Sequence, residues 1–152
     1  METRESDGSI NLPGRIMSID LGKARVGIAL SDPNGILATP YSTIKRVSEE
    51  VLFKQIMAIA DEYEVSLIVI GIPKSLSEKN VIAENETKLF MDQVASRTKR
   101  RVIGVDERFT TVLASQRLRE LGHDAKSMKH KIDATAAAEI LQSYLDSRDK
   151  YQ

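Results

Sequence analysis

The stretch RIMSIDLGKARVGIALSDPNG, residues 15–35, predicts how the fold begins. Its two apolar runs, Arg15–Asp20 and Arg25–Leu30, are each as long as a buried strand, and Gly22 allows the short link between them. The turn signal PNG then leads to a third run, Ile36–Ile44. The three runs predict an antiparallel meander. The first of them ends in a carboxylate, Asp20, although Ile16, Met17 and Ile19 make that run suited to burial.

After the meander, the spacing of apolar residues indicates helices that alternate with buried strands at 67–71 and 101–109. The predicted helices are 48–64 with Ser48 as its N-cap, 81–98 with Leu89, Phe90 and Val94 facing inward, one from Thr110 or Thr111 to Gly122, and 131–147. This order predicts an α/β fold with a five-stranded mixed sheet, three antiparallel strands followed by two parallel ones. Helices flank both faces of that sheet.

Length and composition limit the kind of protein. The 152 residues have the size of one domain, which we place at 15–148 after a polar, disordered N-terminal tail at 1–14. The chain has no cysteine and no apolar run of the ~20 residues that cross a bilayer, so we expect a soluble, cytoplasmic protein with no membrane partner. Because 22 cationic and 22 anionic side chains cancel, attraction to nucleic acid must come from local patches.

Several carboxylates fall where they converge on one edge of the sheet. Asp20 ends the first predicted strand, and Asp106 and Glu107 end the last. Ligands of open α/β sheets bind beyond the carboxyl ends of the strands. Side chains alternate along a strand, so Asp106 and Glu107 cannot both point the same way. Asp133 heads the apolar stripe of the final helix, so it would face the sheet as well.

Each acid also has an ordinary structural explanation. Asp133 could complement a helix dipole, and Asp20 could start a turn. Glu107 could form a solvated ion pair with Arg108. Three acids at one edge are harder to explain in this way, because like charges held together need a cation. Hard carboxylate oxygens, without cysteine or a histidine pair, favour Mg²⁺ or Mn²⁺.

Three segments, IDLGKARVGIALSD, DERFTT and KIDATAAAEILQSYL, resemble the signature segments of the YqgF/RuvX family, in the same order. The resemblance runs from about Arg15 to Tyr144. It implies a ribonuclease H-like fold and assigns catalytic and metal-binding roles to Asp20, Glu107 and Asp133. Members are described as Holliday junction resolvases or as nucleases that trim the 5′ end of precursor 16S ribosomal RNA. The loop in GIPKSLSEKN departs from the family pattern, because it lacks the glycine that usually follows an acidic residue there.

The acids together with the resemblance predict two-metal-ion hydrolysis of phosphodiester bonds, with Asp20 bridging the ions and Asp106 as a supporting group beside the ligands. The fold resemblance implies water as the nucleophile and 5′-phosphate and 3′-hydroxyl products. Cations near the acids are candidates for binding the nucleic-acid backbone: Lys23, Arg25, Arg108, Lys126, Lys129 and Lys131. The last three lie in or beside a predicted basic link, 122–130, which is either a solvated loop or a segment that orders on nucleic acid.

Other functions stay open at this level. We favour structured RNA, as the 5′ end of precursor 16S rRNA, over branched DNA in a Holliday junction. A non-catalytic nucleic-acid-binding module is a third interpretation. Actin-like ATPases and sugar kinases share the Asp-x-Gly strand, but they need two lobes and this chain has room for one. Symmetric cleavage of a junction would call for a homodimer, and the sequence does not choose between a monomer and a dimer.

Overall fold

The computed structural model of the chain describes residues 14–73, 78–107 and 125–150, with side chains described at 14–73, 81–107 and 134–148. The predicted tail and the predicted helix at 110–122 therefore lie outside the described residues, apart from Gly14. The elements, in chain order, are β1 (Ile16–Leu21), β2 (Arg25–Ser31), β3 (Ala38–Lys45), α1 (Glu49–Glu62), β4 (Leu67–Ile72), α2 (Glu78–Thr98), β5 (Arg101–Asp106) and α3 (Ala125–Lys150).

The five strands form one mixed sheet in the order β3-β2-β1-β4-β5. β1, β2 and β3 pair antiparallel, whereas β4 is parallel to both β1 and β5. The predicted sheet of three antiparallel strands followed by two parallel ones is confirmed. Because β1 lies at the centre and runs parallel to β4 and β5, the carboxyl ends of these three strands share one edge, which we call the carboxyl edge.

Each face of the sheet carries its own core, and the alternation along β1 separates them. Met17 and Ile19 belong to the cluster formed with α1 and α2. Ile16 belongs to the cluster formed with α3, in which Ile140 and Leu141 are buried. Helices therefore cover both faces, as the sequence predicts. No helix in the described ranges is long and apolar enough to cross a membrane.

Side chains satisfy both ends of α1. The Ser48 side chain accepts a hydrogen bond from the Val51 backbone N–H at 3.3 Å, which confirms the predicted cap. At the other end, the Arg100 guanidinium donates to the carbonyls of Ala60 and Val65 at 3.2 and 2.7 Å. A cation in this place matches the negative end of the helix dipole. These contacts tie α1 to the start of β5.

Several predicted boundaries are wrong. α3 begins at Ala125 instead of 131, so Lys126 and Lys129 lie on a helix and not in a loop. Their segment is rich in good helix formers, which lets the helix extend backward through the basic residues. Leu89 is 66% exposed, whereas Phe90 and Val94 are buried as predicted. The inward stripe of α2 is thus narrower than its sequence suggests.

Candidate active site at the carboxyl edge of the sheet

Asp20 and Glu107 meet at the carboxyl edge. Asp20 is the fifth residue of β1, one step beyond the paired residues Ile19 and Ile70, and Glu107 directly follows β5. The Asp20 side chain lies within hydrogen-bonding reach of the Glu107 carboxyl group. A hydrogen bond between two carboxyl groups requires a proton on one of them, because an ionised carboxylate can only accept. Two of the three predicted acids are therefore in direct contact.

The surroundings of Glu107 disfavour its charged form. Burial raises the pKa of the Glu107 carboxyl above its usual range, and the negative charge of Asp106 acts in the same direction. The hydrogen bond from Asp20 opposes that shift. Two half-buried carboxyl groups side by side, one of them with a raised pKa, are the electrostatic situation that a bound divalent cation would relieve.

Gly71, at the end of β4, provides the space for Glu107. A Cβ atom at position 71 would lie 3.0 Å from Cγ of Glu107 and 2.6 Å from Cδ1 of Ile140. The missing side chain lets the acid and helix α3 approach the strand together. The sequence alone shows only a glycine inside an apolar strand, a pattern that indicates close approach without naming the neighbour.

Asp106 belongs to the opposite face of the sheet. It pairs with Ile72, and the preceding alternate residue, Gly104, faces Ile72 and Met91 of α2. The expectation that Asp106 and Glu107 diverge is therefore confirmed. The negative charge of Asp106 acts on Glu107 from the opposite face of the sheet, which is consistent with the predicted supporting role. Its side chain does not lie between Asp20 and Glu107.

Ser18 links the strand of Asp20 to helix α3. Its fully buried hydroxyl donates a hydrogen bond of 2.6 Å to the backbone carbonyl of Ala137. Ile16, Ser18 and the position of Asp20 follow one another on the same face of β1. Position 133 lies one helical turn before Ala137, on the side of the carboxyl edge. Position 133 is thus carried by the helix that Ser18 ties to β1, whereas the Asp133 side chain lies outside the described residues.

The predicted basic residues are placed differently from one another. Lys23, in the β1–β2 turn, is exposed and lines a groove of about 690 Å³ together with Leu21 and Pro73, on the side of α1 and α2. Arg25 begins β2, and the register puts it on the α3 face, diagonal to Asp20. Arg108 and the side chains of Lys126, Lys129 and Lys131 lie outside the described residues, as do positions 74–77 of the atypical loop.

Arg46 holds the turn that follows Asp20, a role that its sequence context does not reveal. Its guanidinium donates to the carbonyl of Gly22 at 2.8 Å, and its backbone N–H donates to Ala24 at 2.9 Å. Glu49 pairs with the same guanidinium at 2.8 Å. The turn beside Asp20 is therefore fixed from the far end of β3, through contacts that no local motif predicts.

The donor set fits a hard divalent cation. Asp20 and Glu107 offer carboxylate oxygens only, which suit Mg²⁺ or Mn²⁺. Within the described ranges no three His, Cys, Asp or Glu side chains are grouped as a metal site. The described pair is two of the three predicted acids, and the side chain of the third, Asp133, lies outside the described residues.

Comparisons with known proteins agree with this architecture. The sequence profile of the RuvX family, described as "Holliday junction resolvase", matches residues 14–147. A curated relative from Roseiflexus sp., named "Putative pre-16S rRNA nuclease", is 35% identical over 136 residues, which cover 90% of this chain and 96% of the relative. A protein of the same name from Rhodococcus erythropolis is 40% identical over 146 residues, covering 90% of this chain and 80% of its own length.

Solved structures share the fold at low sequence identity. RuvC from T. thermophilus in complex with a Holliday junction substrate superimposes with a TM-score of 0.59 at 12% identity, over 89% of this chain and 95% of that chain. A fowlpox virus resolvase in complex with Holliday junction DNA gives 0.53 at 12% identity, over 88% and 98%. The chain belongs to the RuvX family of nucleases, and its fold is that of RuvC and ribonuclease H.

Proposed function

We propose that this chain is a metal-dependent nuclease that hydrolyses phosphodiester bonds at the carboxyl edge of the sheet. The observation that carries the proposal is the meeting of Asp20 and Glu107 at the carboxyl edge, where the ends of β1 and β5 bring the two carboxyl groups together. Buried acids placed in this way cost stability unless they bind something positive. Protein folds retain such costs mainly at functional sites.

In the proposed reaction, Asp20, Glu107 and Asp133 would hold the divalent cations, and Asp20 would do so from the central strand. The chemistry supplied with Mg²⁺ or Mn²⁺ bound is activation of water and neutralisation of charge on the transferred phosphate. Ser18 and Gly71 set the distances among the acids, because one ties α3 to β1 and the other admits Glu107. Arg25, on the same sheet face as Asp20, would bind the flanking backbone of the substrate, whereas Lys23 lines the groove on the side of α1 and α2 and would contact only a substrate that extends there.

We propose precursor 16S rRNA as the substrate, cut at its 5′ end, because curated relatives at 35–40% identity carry that name. The described part of the chain also suits recognition of the nucleic-acid backbone better than stacking of bases. The whole sequence has only seven Phe and Tyr residues and no Trp, and stacking platforms need exposed aromatic rings.

The test compares substrates under identical conditions. Wild-type protein, Asp20→Asn and Asp133→Asn are incubated with Mg²⁺ or Mn²⁺ and an RNA that spans the mature 5′ end of 16S rRNA. We expect wild type to cut at or near that end and both variants to be inactive. A wild type as inert as its variants, on this RNA and on branched DNA, would favour a non-catalytic binding module.

Cleavage of branched DNA is the second candidate. The family description and the fold of two resolvases favour it. The same proteins are therefore incubated with a four-way junction. Symmetric cuts in the junction, with the RNA left intact, would replace the RNA proposal and would require the chain to act as a dimer.

A further inference from the structure

The cations at the ends of β2 and β3 lie on the same sheet face as the acids. Asp20 pairs with Gly27, which is opposite Thr43 on β3. One row further out, Arg25 pairs with Lys45. Residues directly opposite each other on paired strands lie on the same face of the sheet. Alternation along the strands therefore places Asp20, Gly27 and Thr43, and also Arg25 and Lys45, on the α3 side. Acids therefore occupy β1 and the end of β5, whereas cations occupy β2 and β3.

The pairing of Arg25 with Lys45 is unfavourable by itself. Like charges directly opposite each other on antiparallel strands destabilise a sheet. Both side chains are exposed, and Lys45 has no ion-pair partner among the described residues, although Arg25 does interact within the chain. Arg46, the next residue, is already neutralised by Glu49. Among the described residues on the α3 face, Lys45 is thus a cation at this end of the sheet that is available to an anion from outside.

Helix α3 leaves this corner of the face open. It crosses from β1, where Ala137 meets Ser18, toward the other end of β3, where Gln142 accepts a hydrogen bond of 2.9 Å from the Ala38 backbone N–H. The helix therefore covers the first half of β3. Lys45, at the other end of β3, is exposed, and Gly27 adds no side chain between this corner and Asp20.

The distances suit a nucleic-acid strand. Arg25 is diagonal to Asp20, which corresponds to about 7–8 Å. Lys45 is two strands away from Asp20 and two residues further out, which gives roughly 12 Å from the strand spacing and rise. These steps are of the same order as the separation between neighbouring phosphates of one strand.

From this placement we infer that the substrate strand leaves the acids across β2 and β3, and that Lys45 binds a phosphate on one side of the scissile bond. The site takes an extended, single-stranded stretch of phosphodiester backbone. This inference rests on the proposed function for the position of the scissile phosphate. It adds to that function a path for the strand and a contact outside the reacting centre.

Binding without cleavage tests the inference first. A fluorescent single-stranded RNA is titrated with wild type, Lys45→Ala and Lys54→Ala in EDTA, at several salt concentrations. Lys54 is the matched control, because it is exposed on α1, away from the α3 face. We expect Lys45→Ala to weaken binding about fivefold at low salt and to reduce the slope of log K against log salt by about 0.7, with Lys54→Ala unchanged.

Cleavage then locates the contact. Lys45→Ala is expected to raise KM about fivefold and to leave kcat unchanged, because the residue does not touch the reacting atoms. The effect should vanish for substrates shortened on one side of the cut and persist for those shortened on the other. Equal behaviour of Lys45→Ala and Lys54→Ala in an active enzyme overturns the inference and leaves the nuclease intact. If binding depends on Lys45 but the protein cuts no substrate, the result supports the proposed path of the strand across β2 and β3 and overturns the proposed nuclease function.

Discussion

The chain twice puts a serine and an aspartate at the end of a buried strand, and the two aspartates have opposite surroundings. Beyond β2, the Asp32 carboxylate accepts hydrogen bonds from the backbone N–H groups of Leu37 and Ile36, both at 2.7 Å, and of Asn34 at 3.2 Å. The hydrogen bond from Leu37 contributes most to lowering the Asp32 pKa. On β1, Asp20 instead contacts another carboxyl group.

This difference separates a structural acid from a candidate catalytic one. The charge of Asp32 is satisfied by the protein itself, so the residue stabilises the turn between β2 and β3. The pair of Asp20 and Glu107 is incomplete without a cation or a proton. Because β2 runs antiparallel to β1, the two aspartates lie at opposite edges of the sheet. Each edge therefore serves as a control for the other.

The largest expected effect is the loss of cleavage when the acid pair is neutralised. Asp20→Asn and Glu107→Gln should lower the cleavage rate about 10³-fold or more, as expected for groups whose interactions are made in the transition state. Asp32→Asn should keep wild-type activity and lose about 1 kcal/mol of stability, because it weakens a cap on backbone N–H groups. Measurements of the cleavage rate check the predicted activities, and urea denaturation checks the predicted loss of stability. Similar rates for Asp20→Asn and Asp32→Asn would remove the distinction.

The next effect concerns the space beside Glu107. Gly71→Ala should lower activity roughly 100-fold, because its Cβ displaces Glu107 and small misplacements of reacting groups are costly. Gly104→Ala is the matched control, since its Cβ would clash with Cδ1 of Ile72, on the α2 face. Both variants should lose about 1–3 kcal/mol of stability by overpacking. If the two variants lose the same activity, Gly71 has only a packing role.

A smaller effect is expected from the two buried serines. Ser18→Ala removes the 2.6 Å hydrogen bond to Ala137, and Ser31→Ala removes the 2.9 Å hydrogen bond from the Ile16 backbone N–H. Each should cost about 1 kcal/mol. Only Ser18→Ala should also reduce the cleavage rate, by about three- to tenfold, because it loosens the helix that carries position 133. A pH–rate profile that shifts in Ser18→Ala and not in Ser31→Ala would indicate that the ligand set has moved.

The smallest effect concerns the stability of the metal-free protein as a function of pH. Glu107 and Asp32 should change that stability in opposite directions. The raised pKa of Glu107 means that the folded protein binds its proton more tightly than the unfolded chain does. Its destabilising effect is therefore present at neutral pH and is relieved as the pH falls through the raised value. Glu107→Gln should exceed wild type in stability at neutral pH, and this advantage should shrink on acidification.

Asp32 should have the opposite effect on the pH dependence of stability, since its pKa in the folded protein is lowered from 3.8. The stabilisation that it gives is present above that value and is lost as the pH falls through the folded pKa. Denaturation of wild type, Glu107→Gln and Asp32→Asn in EDTA, from neutral to acidic pH, measures both. Parallel curves for the two variants would show that the two acids have equivalent surroundings.

The fold and two of the acids could be predicted from the sequence, because they depend on local patterns. Alternation in β1 and β2, the PNG turn and the Ser48 cap are each encoded within a few residues. The convergence of Asp20 and Glu107 follows from the rule that parallel strands share a carboxyl edge. The start of α3 was harder, since helix-forming lysines in a basic segment resemble a solvated loop until tertiary contacts favour the helix.

The details of the candidate site depend on contacts between distant segments. Ser18 reaches Ala137 and Arg46 reaches Gly22 across the fold, and a single sequence carries no signal for either contact. The role of Gly71 is of the same kind, because only the structure names Glu107 as its neighbour. The path over Lys45 needs the exact strand register, which patterns of polarity do not fix.

Metal binding tests the central claim most directly. Mn²⁺ is titrated calorimetrically into wild type, Asp20→Asn, Asp133→Asn and Asp32→Asn under identical conditions. We predict that wild type and Asp32→Asn bind with the same affinity, and that Asp20→Asn and Asp133→Asn bind at least about tenfold more weakly. Equal affinities in all four proteins would contradict a metal centre built from acids at the carboxyl edge.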